Sequence, residues 1–350
     1  MRDVAVVAVA QTPSVRREQT CNEVEMLMPV LTEALRRSGL RREEIGFTVS
    51  GSCDYLAGQP FSFVSALDAV GAWPPITESH LEMDGAFALY EAWIKLQTGE
   101  ADSALVYAFG KSSMGDLPEV LGFQLDPYVL APLGVDAVSL AALQARAWLE
   151  ATGRSERDLA RVALRSRRDA LQNANAQVKG VFELEKLLAE PYLVAPLRKH
   201  DCPPISDGAA AIVLAADDVA RRVSRRPAWI RGIDQRIEPH APGVRDLARS
   251  PSSELAARNA GVARGPIDVA ELHAPFTHQE WILREALGLG DGVAVNPSGG
   301  ALAANPMMVA GLLRIGEAAL RVMDGRARRA LAHATAGPCL QQNLVCVLEA

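Results

Sequence analysis

The sequence predicts an α/β protein made of two similar halves, and three observations carry that prediction. Short β-branched and alanine-rich runs alternate with longer helical stretches, and their order repeats along the chain. One long Arg/Ala/Leu-rich segment interrupts the repeat.

Taken in order, residues 4–9 (Val-Ala-Val-Val-Ala-Val) are one strand long, far short of the roughly 20 apolar residues of a membrane-spanning helix. Residues 22–38 carry helical periodicity closed by Gly39, and residues 45–49 read as the next strand, completing a βαβ unit. Residues 85–98 follow as a helix with Asp84 at its N-cap; Gly99 ends it, and a strand is expected over 103–109. The second half repeats this order: a strand at 228–233, a helix at 253–259 before Gly261, a strand at 267–272, a helix at 306–322 before Gly325, and a strand at 330–335. Setting Gly39 on Gly261 places Ile45 on Ile267, and setting Gly99 on Gly325 places Leu105 on Leu331, at nearly the same offset. Each half closes with one more strand, at 209–214 and 344–348. Residues 117–200, with a helical stretch over 137–174, interrupt the first half before its last strand. The expected domains are therefore 1–116 with 201–222, an inserted loop domain over 117–200, and 223–350. In such layers ligands sit beyond the carboxyl ends of the strands, so the loops after Val49 and Leu272 and those around residues 80, 300 and 340 are expected to converge.

Composition narrows the function. With 350 residues, 49% of them apolar, the chain exceeds a small binding module. A net charge of −6 and a pI near 5.6 provide no basic field for nucleic acid, and none is expected as a partner. Five cysteines (Cys21, Cys53, Cys202, Cys339, Cys346), scattered and without CxxC spacing, disfavour a disulfide framework or a zinc site. A soluble, reducing, cytoplasmic setting is expected, with no metal and no membrane. Aromatic residues at 5% leave recognition mostly to shape and backbone groups.

Three segments are more specific: Ser206-Asp207-Gly208-Ala209-Ala210-Ala211, Glu271-Leu272-His273-Ala274-Pro275-Phe276-Thr277 and Asn296-Pro297-Ser298-Gly299-Gly300. Their order and context resemble the thiolase superfamily across essentially the whole chain, and the sterol carrier protein X-type thiolases, or lipid-transfer proteins, most. The resemblance implies a thiolase fold, a five-layer α-β-α-β-α sandwich of two duplicated halves with a loop domain inserted in the first. Residue by residue, it also implies departures. The nucleophilic cysteine belongs three residues before Gly85, where Glu82 stands in His80-Leu81-Glu82-Met83-Asp84; this glutamate is either a base in an apolar cleft or a solvated, capping carboxylate. The family's His-Asp-Cys-Phe segment is His273-Ala274-Pro275-Phe276, which keeps a histidine able to bind or protonate an oxyanion and loses the proton-exchanging cysteine. His278, one turn further on, is expected on the surface of the following helix. Gly-His-Pro is replaced by Ala304-Asn305-Pro306, so Asn305 either donates to a thioester or enolate oxygen or caps the helix at Pro306. Cys339 lies near the place of the acid/base cysteine of degradative thiolases and is either that group or a buried inert thiol. Cys346 reads as a core residue, Cys202 as non-catalytic, and Cys21 and Cys53 carry no motif.

Without a nucleophile to accept an acyl group, thiolysis of a 3-ketoacyl-CoA is disfavoured. Retro-aldol cleavage of a 3-hydroxyacyl-CoA needs only a base and donors for the thioester enolate. Some relatives act this way on steroid side-chain CoA thioesters, with a small OB-fold partner and with tyrosines as proton carriers. Here the loops after residues 295 and 336 contain no tyrosine; of Tyr55, Tyr90, Tyr107, Tyr128 and Tyr192, only Tyr55 and Tyr128 fall in plausible cleft loops. The leading expectation is an aldolase-type lyase subunit centred on His273, with CoA present only as part of the substrate and no bound cofactor. The alternatives are a non-catalytic subunit of a heteromeric complex with another thiolase-like chain and an OB-fold protein, and a residual thiolase or acyltransferase using Cys339. The resemblance also implies a homodimer or heterodimer through a sheet edge placed at residues 105–109, and a pocket for which Phe61, Phe63, Trp73 and Phe123 are candidates.

Overall fold

A computed structural model describes residues 2–350. The first half runs β1 (Val4–Gln11), α1 (Glu23–Ser38), β2 (Phe47–Gly51), α2 (Asp54–Ala57), α3 (Ser62–Val70), β3 (Glu78–Leu81), α4 (Gly85–Thr98) and β4 (Ser103–Gly110). The inserted segment holds α5 (Leu117–Gly122), α6 (Ala137–Thr152), α7 (Glu156–Asp169), α8 (Leu184–Leu188) and a small hairpin of β5 (Tyr192–Val194) and β6 (Leu197–Arg198). The chain then returns through β7 (Gly208–Ala216) and α9 (Asp217–Val223). The second half comprises β8 (Ala228–Ile237), α10 (Pro251–Ala260), β9 (Val269–Leu272), α11 (Thr277–Ala286), β10 (Ala294–Val295), α12 (Ala310–Met323), β11 (Arg329–Ala336) and β12 (Gln342–Glu349).

The duplication extends to the topology. The first half forms the strand order β1-β7-β4-β2-β3 and the second β8-β12-β11-β9-β10, so counterparts occupy the same places and every neighbouring pair has the same sense. Two residue pairs, Ala5 with Trp229 and Val6 with Ala228, join the halves. Both pairs of glycine anchors are left-handed helix ends: Gly39 and Gly261 at φ 68° and 76°, Gly99 and Gly325 at 77° and 78°.

Three cores account for five layers. Alternate residues of the strands turn to opposite faces. Ala104, Val106 and Ala108 of β4 and Ala330, Ala332 and Ala334 of β11 thus meet α4 and α12 in a central core. Leu105, Tyr107 and Phe109 face an outer layer of α1, α3 and α9. Leu331 and the outer residues of β12 face α10, α11, α6 and α7. Each fully buried leucine or valine side chain contributes about 1.5–3 kcal/mol, and the alanine-rich inner faces let the two central helices approach both sheets. The sheet–helix–sheet spacing has no room to spare at Gly311, where a Cβ would lie 2.6 Å from Asp84 Oδ1 and 2.7 Å from Ala334 Cβ.

Several expectations are corrected. The stretch 137–174 is two helices: Gly153 turns left-handed at the end of α6, and a Ser155–Asp158 capping box starts α7. The second central helix begins at Ala310, not Pro306. Residues 105–109 are no edge, because β4 lies between β7 and β2; the free edge of that half is β3. Sequence periodicity missed β3, α2, α3 and β10. Trp73, Phe61 and Phe123 are exposed, whereas Phe63 stacks on His80 with ring centroids 4.6 Å apart. Among the described residues no helix is long and apolar enough to cross a membrane.

Candidate active site

The first residue beyond β9 is His273, and its surroundings fix its proton. Its backbone N–H donates to His333 O at 3.1 Å, prolonging the parallel ladder between β9 and β11 by one step. Nδ1 accepts from Thr335 N–H at 3.4 Å, which assigns the ring proton to Nε2, and Nε2–H donates to Asn305 Oδ1 at 3.1 Å. Asn305 is held in turn by its backbone N–H on Ser206 Oγ at 3.1 Å. With Oδ1 taken, its amide Nδ2 keeps its hydrogens for another acceptor; their nearest partner is Met307 Sδ at 4.0 Å. Both side chains are buried, and burial, reinforced by His333 and Arg314, pushes the His273 imidazole down to about 3. His273 is therefore a neutral donor rather than a base at physiological pH. Asn305 does not cap α12, whose N-cap is Val309.

The loop beneath this pair is clamped from both sides. Asn296, at φ 50°, accepts from Leu272 N–H through Oδ1 at 2.6 Å and donates from Nδ2 to Glu280 at 3.0 Å. Ser298 donates to Glu271 from Oγ at 2.6 Å and from its backbone N at 3.1 Å, and the guanidiniums of Arg314 and Arg321 close on the same buried carboxylate at 3.2 and 3.0 Å. The inserted segment completes the clamp, with Ser166 Oγ donating to Gly299 O at 2.5 Å and Asn173 Nδ2 to Ser298 O at 3.1 Å. Glu271 and its two arginines were missed at the sequence level. Their signals were a glutamate inside an otherwise apolar strand and two arginines seven residues apart on one face of an apolar helix.

Residues 82–85 of the other half lie against the segment that follows Asn305. Asp84 N-caps α4 through Ala86 N–H at 2.9 Å and also accepts from Gly311 and Leu312 N–H at 2.8 and 3.0 Å, so one buried carboxylate caps both central helices. Gly85 N–H donates to Met308 O at 2.8 Å, which seats residues 82–85 against the segment that follows Asn305. The half-exposed Glu82 carboxylate accepts from Asp54 N–H, at the start of α2, at 2.6 Å through Oε1, and its Oε2 lies 3.5 Å from His80 Nε2. No hydrogen bond among the described residues joins it to His273 or Asn305.

Among the described residues none of the remaining candidates is hydrogen-bonded to this pair. Cys339 packs in an apolar cluster with Leu125 and Leu140, its thiol donating to Leu140 O at 3.4 Å, and burial pushes it up to about 11. Burial also raises the other four thiols, Cys53 to about 11 and Cys202 and Cys346 to about 12. Cys53 additionally feels Glu82. No cysteine is held as a thiolate, the form a thiol nucleophile requires. His278 is not on a helix surface: it is fully buried, and it donates from Nε2 to Gln144 Oε1 of α6 at 3.1 Å. Asp207 ties Glu18 and Ser113 into the base of the site through their backbone N–H groups at 2.8 and 3.1 Å.

The buried histidines give a pH signature. Burial holds His273 and His278 near 3 and His333 near 4, whereas an unfolded imidazole titrates near 6.5. Below about pH 6.5 the unfolded chain takes up protons that the folded chain refuses, so stability falls with acidification by up to ~1.4 kcal/mol per pH unit for each histidine until the folded values are reached. Urea midpoints measured between pH 7 and pH 5 should drop, and His278→Gln should reduce the slope by about a third; a flat profile would contradict the neutral buried state.

Compared with known proteins, the chain superposes on the solved structure of the Ltp2–ChsH2(DUF35) aldolase with a TM-score of 0.82, over 99% of this chain and 98% of that one, at 21% identity. The chain has the thiolase fold. In sequence this thiolase-fold chain is 27% identical to an acetyl-CoA acetyltransferase of Methanothermobacter thermautotrophicus, over 96% of its own length and 95% of the relative's. It is 26% identical to sterol carrier protein 2 of Gallus gallus over 71% of its own length and 54% of that protein, so it spans about half of that relative. No family model matches the sequence.

Proposed function

We propose that this thiolase-fold chain is an acyl-CoA carbon–carbon lyase that cleaves a 3-hydroxyacyl-CoA by a retro-aldol reaction. The observation that carries the reading is the buried Asn305 amide, whose Nδ2 hydrogens are aimed by the His273 Nε2–H bond to its Oδ1, in a protein whose five thiols are all held protonated. Donors aimed at a thioester oxygen stabilise an enolate without any covalent intermediate. In the reaction Glu82, which the resemblance sets at the nucleophile's position, removes the 3-hydroxyl proton. The C2–C3 bond breaks as C3 becomes a carbonyl, and the electron pair moves into the thioester enolate on the Asn305 amide, which His273 orients. The proton then returns to C2, releasing a shortened acyl-CoA and a ketone or aldehyde. CoA enters only as part of the substrate. A steroid side-chain thioester is the substrate class favoured by the resemblance to lipid-transfer proteins, and the aldolase among the similar structures supports the reaction type.

A second reading, a non-catalytic subunit, draws on the free edge of β3 and on the exposed Tyr55 of α2, Phe61 just before α3 and Phe123 just after α5. Unpaired edges and apolar patches are places where chains associate, and the similar aldolase structure contains a second, DUF35 component. A homodimer, a heterodimer with another thiolase-like chain, and an added OB-fold partner are the assemblies to consider. Incubating the purified chain with a 3-hydroxyacyl steroid-CoA, alone and with such partner chains, separates the readings. Shortened acyl-CoA whose release is lost on His273→Ala supports the lyase. Release that needs a partner and survives His273→Ala replaces it with the subunit.

A further inference from the structure

Behind Glu82 lies a chain of polar side chains that the cleavage reaction above does not use. Ser50 on β2 and His80 on β3 are paired across parallel strands, and Ser50 Oγ lies 3.0 Å from His80 Nδ1. The hydroxyl is fully buried, and Phe63 of α3 stacks on the imidazole with an interplanar angle of 12°, so the ring is fixed in plane and in tilt. His80 Nε2 is buried without a hydrogen-bond partner, 3.5 Å from Glu82 Oε2. The neighbouring carboxylate of Asp54 is engaged elsewhere, on Phe61 and Ser62 N–H at 2.7 and 2.9 Å. A carboxylate only accepts, so the arrangement that satisfies every group has Ser50 Oγ–H donating to Nδ1 and Nε2–H turned to Glu82.

The geometry points to His80 as the positioning residue of Glu82: a serine–imidazole–carboxylate chain, Ser50–His80–Glu82, holds the carboxylate that takes the substrate's 3-hydroxyl proton. This role rests on the reading of Glu82 as the proton acceptor. Asp54 N–H donates to one carboxylate oxygen, and His80 Nε2 stands 3.5 Å from the other, close enough to orient it. The imidazole neither gains nor loses a proton in the cycle: the proton passes from the 3-hydroxyl oxygen to Glu82 and from Glu82 to C2. His80 supplies orientation, in the way that the third member of a catalytic triad orients its neighbour.

Two measurements test this. In the full chain labelled with ¹⁵N-histidine, the His80 signals should report the Nε2–H tautomer, and Glu82→Gln should shift the Nε2 resonance. An Nδ1–H tautomer, or a resonance indifferent to Glu82, overturns the chain of hydrogen bonds without reference to turnover. In cleavage assays, His80→Ala should lower kcat roughly 10- to 100-fold with KM within about twofold. His80→Gln, which keeps an N–H near the Nε2 position, should recover most of the loss. Unchanged kcat in His80→Ala, where Glu82→Gln is inactive, overturns the positioning role. Full turnover in Glu82→Gln overturns the base itself, and with it this role for His80, whatever the tautomer.

Discussion

His273→Ala is expected to reduce kcat for cleavage of a 3-hydroxyacyl-CoA by roughly 10²- to 10³-fold, the loss that follows when an oxyanion donor, here the Asn305 amide, is no longer aimed. The effect is large because the orientation of the Asn305 donor is set in advance by His273. His273 is neutral, its proton sits on Nε2, and Asn305 Oδ1 fixes the direction of the bond at 3.1 Å. No charge has to be moved or solvent reorganised when the enolate forms. The substitution frees Asn305 to rotate, so changes at His273 and at Asn305 act on the same donor and should not add in a double variant. Asn305→Asp should be at least as damaging, since it exchanges the amide donor for a carboxylate facing a developing negative charge. Steady-state kinetics with melting curves of each variant separate this from unfolding: kcat should collapse while the melting temperature moves only slightly. A His273→Ala enzyme within threefold of the parent would remove His273 from the chemistry.

The second large effect is on stability. Asp84 accepts from Ala86, Gly311 and Leu312 N–H, and so serves the N-termini of both central helices. Asp84→Ala strips three buried donors of their acceptor and opens a small void between α4 and α12. At about 1–3 kcal/mol for each buried group left unpaired, a total near 4 kcal/mol is expected. Asp84→Asn, which retains one acceptor oxygen, should cost about half as much. Urea unfolding measures both. Because Asp84 also sets residues 82–85 against the segment after Asn305, folded Asp84→Ala protein should lose activity beyond its loss of stability. A cost below 1 kcal/mol would mean that water replaces the carboxylate and that the two helix ends are not coupled through it.

What the sequence made legible is local or repeated. The strand and helix runs of each half, the glycines that end the helices in left-handed conformation and Asp84 as N-cap all depend on neighbours within a few residues. The duplication is legible because the same pattern occurs twice. What it concealed depends on distant partners. The four residues of β3, Glu78-Ser79-His80-Leu81, have no strand pattern of their own and are held by pairing with β2. The first turn of α11 buries His278, Gln279 and Glu280, which breaks the apolar periodicity of a helix, and His278 finds its partner Gln144 at a separation of 134 residues. Helix α12 starts four residues later than its periodicity suggests, and the acceptor for its first N–H groups, Asp84, lies 227 residues away from Gly311. His273 and Asn305 were legible as residue types, each flanked by a motif. Their hydrogen bond, through which His273 aims the Asn305 amide, was not, because it is set by the positions of β11 and the loop after β10.

The central claim is cleavage without an acyl-enzyme, and product stoichiometry combined with intact-protein mass tests it most directly. The chain, with any partner it requires, is mixed with a 3-hydroxyacyl-CoA in the absence of free CoA, and protein and products are weighed during turnover. The account predicts one shortened acyl-CoA and one ketone or aldehyde for each substrate consumed, with the protein mass unchanged. An acyl adduct on Cys53, Cys339 or any other cysteine, or cleavage of a 3-ketoacyl-CoA that starts only when free CoA is added, would contradict it.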